Sequence, residues 1–171
     1  RMVTVGRFVS QKAYDRLLRV IKHLYEGGYS IELWILGDGE QRPILEEYIN
    51  TYSLSKIVTL WGFQKNPYPY LQNSDIFVCS SISEGYSTAV TEALILELPV
   101  ITTACSGMNE LLINGKCGLI TENSENGLYS GIKHILDNPN LLTSYKQNIL
   151  LHQERFSLSN QMAHIENLFN S

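Results

Sequence analysis

Short apolar runs alternate along this chain with longer stretches in which apolar residues recur every three or four positions. The two periods predict strands and amphipathic helices in turn. Met2 to Val5 is the first strand. Residues 11–26 form a helix with Leu17, Leu18, Ile21 and Leu24 on one stripe. Ile31 to Leu36 is a second strand, stopped by Gly37-Asp38-Gly39. Residues 41–50 form a short helix with Pro43 in its first turn, where a missing N–H does no harm. Ile57 to Trp61 and Asp75 to Cys79 are the third and fourth strands. A helix runs from about Ser87 to Leu96, and Pro99 leads into a fifth strand at Val100, Ile101 and Thr102. A sixth short strand covers Gly118 to Thr121. Helices are predicted at 125–137, 141–151 and 158–169.

Such alternation predicts a single α/β domain: a parallel sheet of about six strands with helices on both faces. In open sheets of this kind ligands bind beyond the carboxyl ends of the strands. The informative residues are therefore Gly6-Arg7, Gly37-Asp38-Gly39, Gly62-Phe63-Gln64, Ser80 to Ser87, and Thr103 to Gly107. A length of 171 residues suits one domain with its own core. With 44% hydrophobic and 18% charged residues, the composition is that of a globular protein. The net charge of -4 and the lack of a Lys/Arg block argue against a nucleic-acid partner. Every apolar run is far short of a membrane span. Cys79, Cys105 and Cys117 are odd in number and form no C-x-x-C pair, which predicts reduced thiols in a cytoplasmic protein rather than a disulfide frame. The chain opens RMVTVGR, inside a strand and with no signal peptide, which predicts a piece of a longer protein.

Several familiar motifs fail on inspection. Gly37-Asp38-Gly39 is half of a dinucleotide fingerprint, but Arg42 stands where the third glycine belongs. Gly115-Lys116 resembles the tail of a phosphate loop, yet Cys117 comes next and Glu110 replaces the earlier glycine. The histidines at 23, 134, 152 and 164 have no ligand spacing, so no metal site is predicted.

Two clusters carry candidate chemistry. Gly6 ends the first strand, so Arg7 on the loop and Lys12 at the start of the helix flank the carboxyl edge of the sheet. Two cations there suit a diphosphate, Arg through its planar fork and Lys as a point charge. Alone, the pair does not outweigh an ordinary solvated loop. The second cluster is SEGYSTAVTEA, residues 83–93. Gly85 allows a tight turn, and the helix beginning near Ser87-Thr88 would aim its free N–H groups into the same cleft, as an anion site requires. Glu84 would face the mouth of the cleft. Glu92, inside the helix, is an acceptor suited to a vicinal diol. On spacing alone, a second reading fits equally: Glu84 caps the helix and Glu92 is a solvated carboxylate.

Taken whole, the sequence resembles the retaining, nucleotide-sugar-dependent glycosyltransferases of the GT-B type (group 1, family 4), over nearly its full length. VGRFVSQKAYDRLLRVI is similar to that family's opening strand and helix, and LWILGDGEQRPILEEYI to its second unit. The stretch from VTLWGFQKNPYPYLQNSD through SEGYSTAVTEALILELPVITT resembles its signature region, with Glu84 and Glu92 as the E-x7-E pair. SGMNELLINGKCGLIT resembles the segment after that region. The nearest resemblance is to bacterial surface-polysaccharide transferases. The resemblance implies a Rossmann-like C-terminal half of a GT-B enzyme, whose N-terminal acceptor domain lies outside this chain. It implies that Arg7 and Lys12 hold the donor diphosphate and that Glu92 takes the ribose hydroxyls. Glu84 would then lie beside the transferred sugar. Tyr86, Ser87 and Thr88 would cradle phosphate, Phe63 and Gln64 would line the base, and Gly6 would belong to the substrate-binding surface. The implied partners are a nucleotide-sugar donor, most commonly UDP-linked, and a glycan or lipid-linked acceptor, with no metal and no cofactor. A lipid-linked acceptor leaves open a peripheral place at the inner membrane face for the full-length protein. One departure is visible: Glu97 in LILELPV stands where the family usually has Gly, at a helix C-terminus where glycine relieves a left-handed backbone.

Two other readings compete. A sugar-nucleotide epimerase of the same architecture would place histidine and carboxylate acid–base groups in the cleft, but these loops carry no histidine. A non-catalytic nucleotide-binding module is the other, and the presence of both the cationic and the glutamate pair counts against it.

Overall fold

The computed structural model describes residues 1–156; the helix expected at 158–169 lies outside them. Six parallel strands form one sheet: β1 (Met2–Val5), β2 (Leu33–Leu36), β3 (Val58–Gly62), β4 (Ile76–Cys79), β5 (Val100–Thr103) and β6 (Gly118–Thr121). Their order is β3-β2-β1-β4-β5-β6. Chain order reverses direction between β1 and β4, so crossovers cover opposite faces on either side of that point.

The central strands are buried on both sides, and alternate residues enter different cores, whereas edge strand β3 leaves Trp61 exposed. Met2, Leu33, Ile35, Ile76, Val78 and Ile101 face one core. They pack on α1 (Tyr14–Glu26), α2 (Arg42–Thr51) and α6 (Glu125–Asp137), through Leu17, Leu45 and Leu128 among others. Val3, Leu36, Phe77, Cys79 and Val100 face the second core. Here the partners are α3 (Tyr68–Gln72), α4 (Thr88–Ile95), α5 (Met108–Leu111) and α7 (Asn140–Leu151). The expected α/β architecture is thus the observed one. All three cysteines are free thiols, and burial raises the Cys79 thiol above its usual pKa.

Three differences from the sequence reading bear on function. The helix expected over 11–26 is broken: Ser10–Lys12 is a 3-10 turn, Ala13 is left-handed at φ 49, and α1 starts only at Tyr14. Lys12 therefore ends a tight turn instead of opening the helix. In β3, pairing jumps from Ile35–Leu60 to Leu36–Gly62, leaving Trp61 as the extra residue of a bulge. A bulge bends its strand and re-aims the chain beyond it, here the Gly62-Phe63-Gln64 loop. The third difference is α3 and α5, short helices that the apolar pattern did not signal.

At the end of α4 the sequence reading holds. Glu97 sits at φ 60. The Leu98 N–H donates to the Ala93 carbonyl at 2.9 Å and the Glu97 N–H to that of Leu94 at 3.0 Å. This is the bonding pattern of a glycine-type C-terminal cap, with a side-chain-bearing residue in the left-handed position.

Candidate functional site

The loops leaving β1 and β4, on either side of the switch point, are stitched together. The Ile82 N–H donates to the Gln11 carbonyl and the Ser80 hydroxyl to the Lys12 carbonyl, both at 2.8 Å. The Lys12 ammonium forms an ion pair with Glu84 Oε1. Ser81 Oγ donates to the same carboxylate oxygen at 2.7 Å. The Lys12 and Glu84 side chains are only 24% and 12% exposed, so water screens this pair less than it screens a surface pair.

Glu84 does not cap α4. Ser87 occupies the N-cap with extended backbone (φ -89, ψ 99), and no side chain bonds the first turn. The leading N–H groups of α4 are left for another acceptor, at the positive end of the helix dipole. Tyr86 and Thr88 flank this turn and are exposed, whereas Ser87 is buried. Glu92 is half-buried on α4, and the Tyr68 hydroxyl approaches its carboxylate at 3.5 Å from α3.

On the other side, the loops after β1, β2 and β3 touch backbone to backbone. The Gly6 N–H donates to the Leu36 carbonyl at 3.0 Å, Phe8 to Asp38 at 2.9 Å and Gly37 to Gly62 at 2.9 Å. A Cβ on Gly37 would lie 1.9 Å from the Gly6 carbonyl oxygen, and Gly37 has φ +137, so only glycine fits this approach. A cavity of about 430 Å³ opens above the shelf, lined by Gly6, Arg7, Leu36, Asp38, Phe63 and Gln64. Arg7 is exposed and forms no ion pair among the described residues. Phe63 is 76% exposed, an aromatic face that nothing in the described chain covers. Gln64 Nε2 is anchored on the Trp61 carbonyl at 2.8 Å. Beneath the shelf, Tyr14 packs edge-on against Phe8 with ring centroids 5.5 Å apart. Burial raises its phenol well above the usual range, so it is neutral support and carries no charge into the site.

All ten residues expected at the site therefore lie along one edge of the sheet, in two neighbouring groups. Lys12, Glu84, Tyr86, Ser87, Thr88 and Glu92 border the β1–β4 crevice. Gly6, Arg7, Phe63 and Gln64 border the cavity beside it. Sequence reasoning passed over Tyr68 and gave Asp38 and Ser81 no role. Position after a strand marks Asp38 and Ser81, but nothing local marks Tyr68. Among the described residues, no three His, Cys, Asp or Glu side chains gather to hold a metal ion, and no helix is long and apolar enough to cross a membrane.

Two cations and an open helix N-terminus thus lie at the topological switch point of a doubly wound domain, beside carboxylates and an aromatic rim. The chain belongs to the glycosyl transferases group 1 family, whose sequence profile matches residues 1–151. An uncharacterized glycosyltransferase of Methanocaldococcus jannaschii is 44% identical over 111 residues, 64% of this chain and 27% of the relative. The Campylobacter jejuni N-acetylgalactosamine-N,N'-diacetylbacillosaminyl-diphospho-undecaprenol 4-alpha-N-acetylgalactosaminyltransferase is 32% identical over 147 residues, 85% of this chain and 40% of that enzyme. Among solved structures, the pneumococcal O-GlcNAc transferase GtfA in complex with UDP and GlcNAc superposes with a TM-score of 0.84 at 18% identity, covering 99% of this chain and 36% of that one. S. aureus TarM superposes at 0.81 with 25% identity, covering 99% and 35%. The chain thus spans well under half the length of these relatives.

Proposed function

We propose that this chain is the donor-binding, C-terminal half of a retaining glycosyltransferase that moves a sugar from a nucleotide diphosphate sugar, a UDP-sugar, to a glycan or lipid-linked acceptor. The carrying observation is the position of Lys12 and Glu84 beside the uncapped start of α4, with Arg7 and the cavity next to them. The diphosphate lies along the N–H groups of the turn at Tyr86, Ser87 and Thr88 that leads into α4, between Arg7 and Lys12. The ribose hydroxyls donate to Glu92. The base occupies the cavity over Gly6, against Phe63 and Gln64. Glu84 faces the transferred sugar. As the glycosidic bond breaks, negative charge develops on the leaving diphosphate, and Arg7, together with Lys12 once the donor draws it from Glu84, stabilises it. No metal is needed for that step.

The acceptor and the opposite wall of the cleft belong to an N-terminal domain of the same protein, so this chain alone binds donor and transfers nothing. Names of relatives support a bacterial-type surface glycan or lipid-linked acceptor: one acts on a diphospho-undecaprenol substrate, another is an alpha-monoglucosyldiacylglycerol synthase of Acholeplasma laidlawii. In the full-length protein the site then lies in the cytoplasm, at the inner membrane face.

Crystals soaked with UDP and with a UDP-sugar test the reading. Phosphates on the α4 N-terminus and ribose on Glu92 are expected. A nucleotide bound elsewhere, or a histidine brought to the sugar, would return the epimerase and non-catalytic readings.

A further inference from the structure

The loop that carries Glu84 has little packing of its own. Ile82 is 56% exposed, and nothing stands within 4 Å of where a Cβ on Gly85 would be. Few buried contacts leave a loop free to open locally, yet Glu84 is held in one place. The hold comes from behind, through Arg16 on α1. Its guanidinium donates to the Ser80 carbonyl and, at 3.3 Å, to the Ser81 carbonyl. Nη1 and Nη2 each donate to Asn123 Oδ1 at 3.0 Å. Asn123, just past β6, turns its amide nitrogen back onto the Ile82 carbonyl at 2.7 Å and the Ala104 carbonyl at 3.2 Å. The Ser81 carbonyl also accepts from Thr103 Oγ1 at 2.6 Å and from the Cys105 thiol at 3.3 Å. Three strand-exit loops, after β4, β5 and β6, are thereby tied to α1 at one point. On the opposite side of that point the Ser81 hydroxyl meets Glu84.

We infer that Arg16, clasped by Asn123, is a positioning residue that acts through Ser81 to hold Glu84 against Lys12. A planar guanidinium suits the task because it can bond two successive carbonyls and a side-chain amide at once, which a lysine ammonium cannot do in one fixed geometry. Arg16 touches no candidate ligand position itself. Its influence on the sugar rests on the assignment of Glu84 made above, but its influence on the loop does not.

The test uses this chain and four variants: Arg16→Met, Asn123→Ala, Ser81→Ala and Glu84→Gln. Amide exchange at Ile82 is read against Val3, which lies in the central strand and reports global opening. NMR tracks the NOE between the Lys12 and Glu84 side chains. UDP-glucose, UDP-galactose and UDP-N-acetylglucosamine are each titrated beside UDP. Arg16→Met should speed Ile82 exchange about tenfold relative to Val3, erase the NOE, and shrink the preference for nucleotide sugar over UDP, with UDP itself bound up to about fivefold more tightly because Lys12 is released from Glu84. Asn123→Ala should act in the same direction but less strongly, and it serves if Arg16→Met does not fold. Ser81→Ala should shrink the preference without speeding Ile82 exchange, because it cuts only the last link. Unchanged Ile82 exchange and NOE in Arg16→Met would overturn the inference, as would parallel losses for UDP and nucleotide sugars. If Glu84→Gln leaves the preference intact, the role given to Glu84 fails, while exchange and NOE still decide whether Arg16 positions it.

Discussion

Lys12 has two competing anions, one internal and one arriving with the donor, and that makes a signed prediction. Without ligand its ammonium is paired with Glu84; on the proposed reading it serves the diphosphate when donor is bound. UDP therefore has to compete with an internal carboxylate. The pair is partly shielded, with side chains 24% and 12% exposed. Its strength should thus lie at or above the top of the ~0.2–1 kcal/mol range of exposed pairs yet stay far below the ~4 kcal/mol of bare Coulomb attraction at 4 Å and an effective dielectric of 20. A working value of about 1 kcal/mol corresponds to roughly fivefold in affinity. Glu84→Gln frees Lys12 while keeping shape and most hydrogen bonds, so UDP should bind this chain about fivefold more tightly. Lys12→Met keeps the stem that lies beside Gly6 and should weaken UDP binding by ~1.5–3 kcal/mol, the range for a charge-assisted hydrogen bond. In the Lys12→Met background the gain from Glu84→Gln should largely vanish. Isothermal titration or NMR of the four proteins closes the cycle. A loss of UDP affinity in Glu84→Gln, or an equal gain in both backgrounds, would refute the competition.

Three further outcomes are expected. In the full-length enzyme, Arg7→Ala should cut kcat/KM by about 100-fold, the scale of one lost transition-state donor; near-normal steady-state rates would remove Arg7 from the diphosphate. Glu92→Gln should weaken UDP by roughly 1–3 kcal/mol and weaken 2′,3′-dideoxy-UDP much less, so equal losses in parallel titrations would place Glu92 elsewhere. Glu97→Gly should raise stability by about 0.5–1 kcal/mol, because relief of left-handed strain exceeds the entropy glycine adds to the unfolded chain; the pair Glu97 forms with Lys146 at 3.9 Å is exposed and offsets little. Calorimetry should show the midpoint rising by ~1–4 °C for a chain of this size, and a fall would mean that the unfolded-chain entropy outweighs the strain.

Much of this was legible because burial in a doubly wound sheet imposes its periods locally. β1, β6 and α6 fall on their expected bounds, where apolar runs are short and punctuation is strong. The short helices α3 and α5 were missed for a physical reason: four or five residues cannot display a 3.6-residue repeat. The break before α1 was illegible for another, since Ala13 is a good helix former and nothing adjacent announces φ 49. Glu97 was legible because the family resemblance set it against the glycine usual at that helix C-terminus. The site residues were legible as positions after strands and, for Glu84 and Glu92, by their spacing and the resemblance. Their contacts were not. Lys12 and Glu84 are 72 positions apart, and Arg16 and Asn123 are 107 apart, so their pairing depends on the strand order β1-β4-β5-β6, which alternation alone does not specify.

The central claim is that this edge of the sheet is a half-site for a nucleotide sugar, and titration of the chain with UDP, monitored by amide NMR, tests it most directly. One open wall, with nothing closing over the ligand to exclude water, should give a Kd in the range of about 100 μM to several mM. The shifts should be concentrated at Gly6-Arg7, at Ser87-Thr88 and around Glu92. Absence of shifts at those positions with several millimolar UDP, or shifts confined to the opposite edge of the sheet near Ile31 and Ile135, would contradict the account.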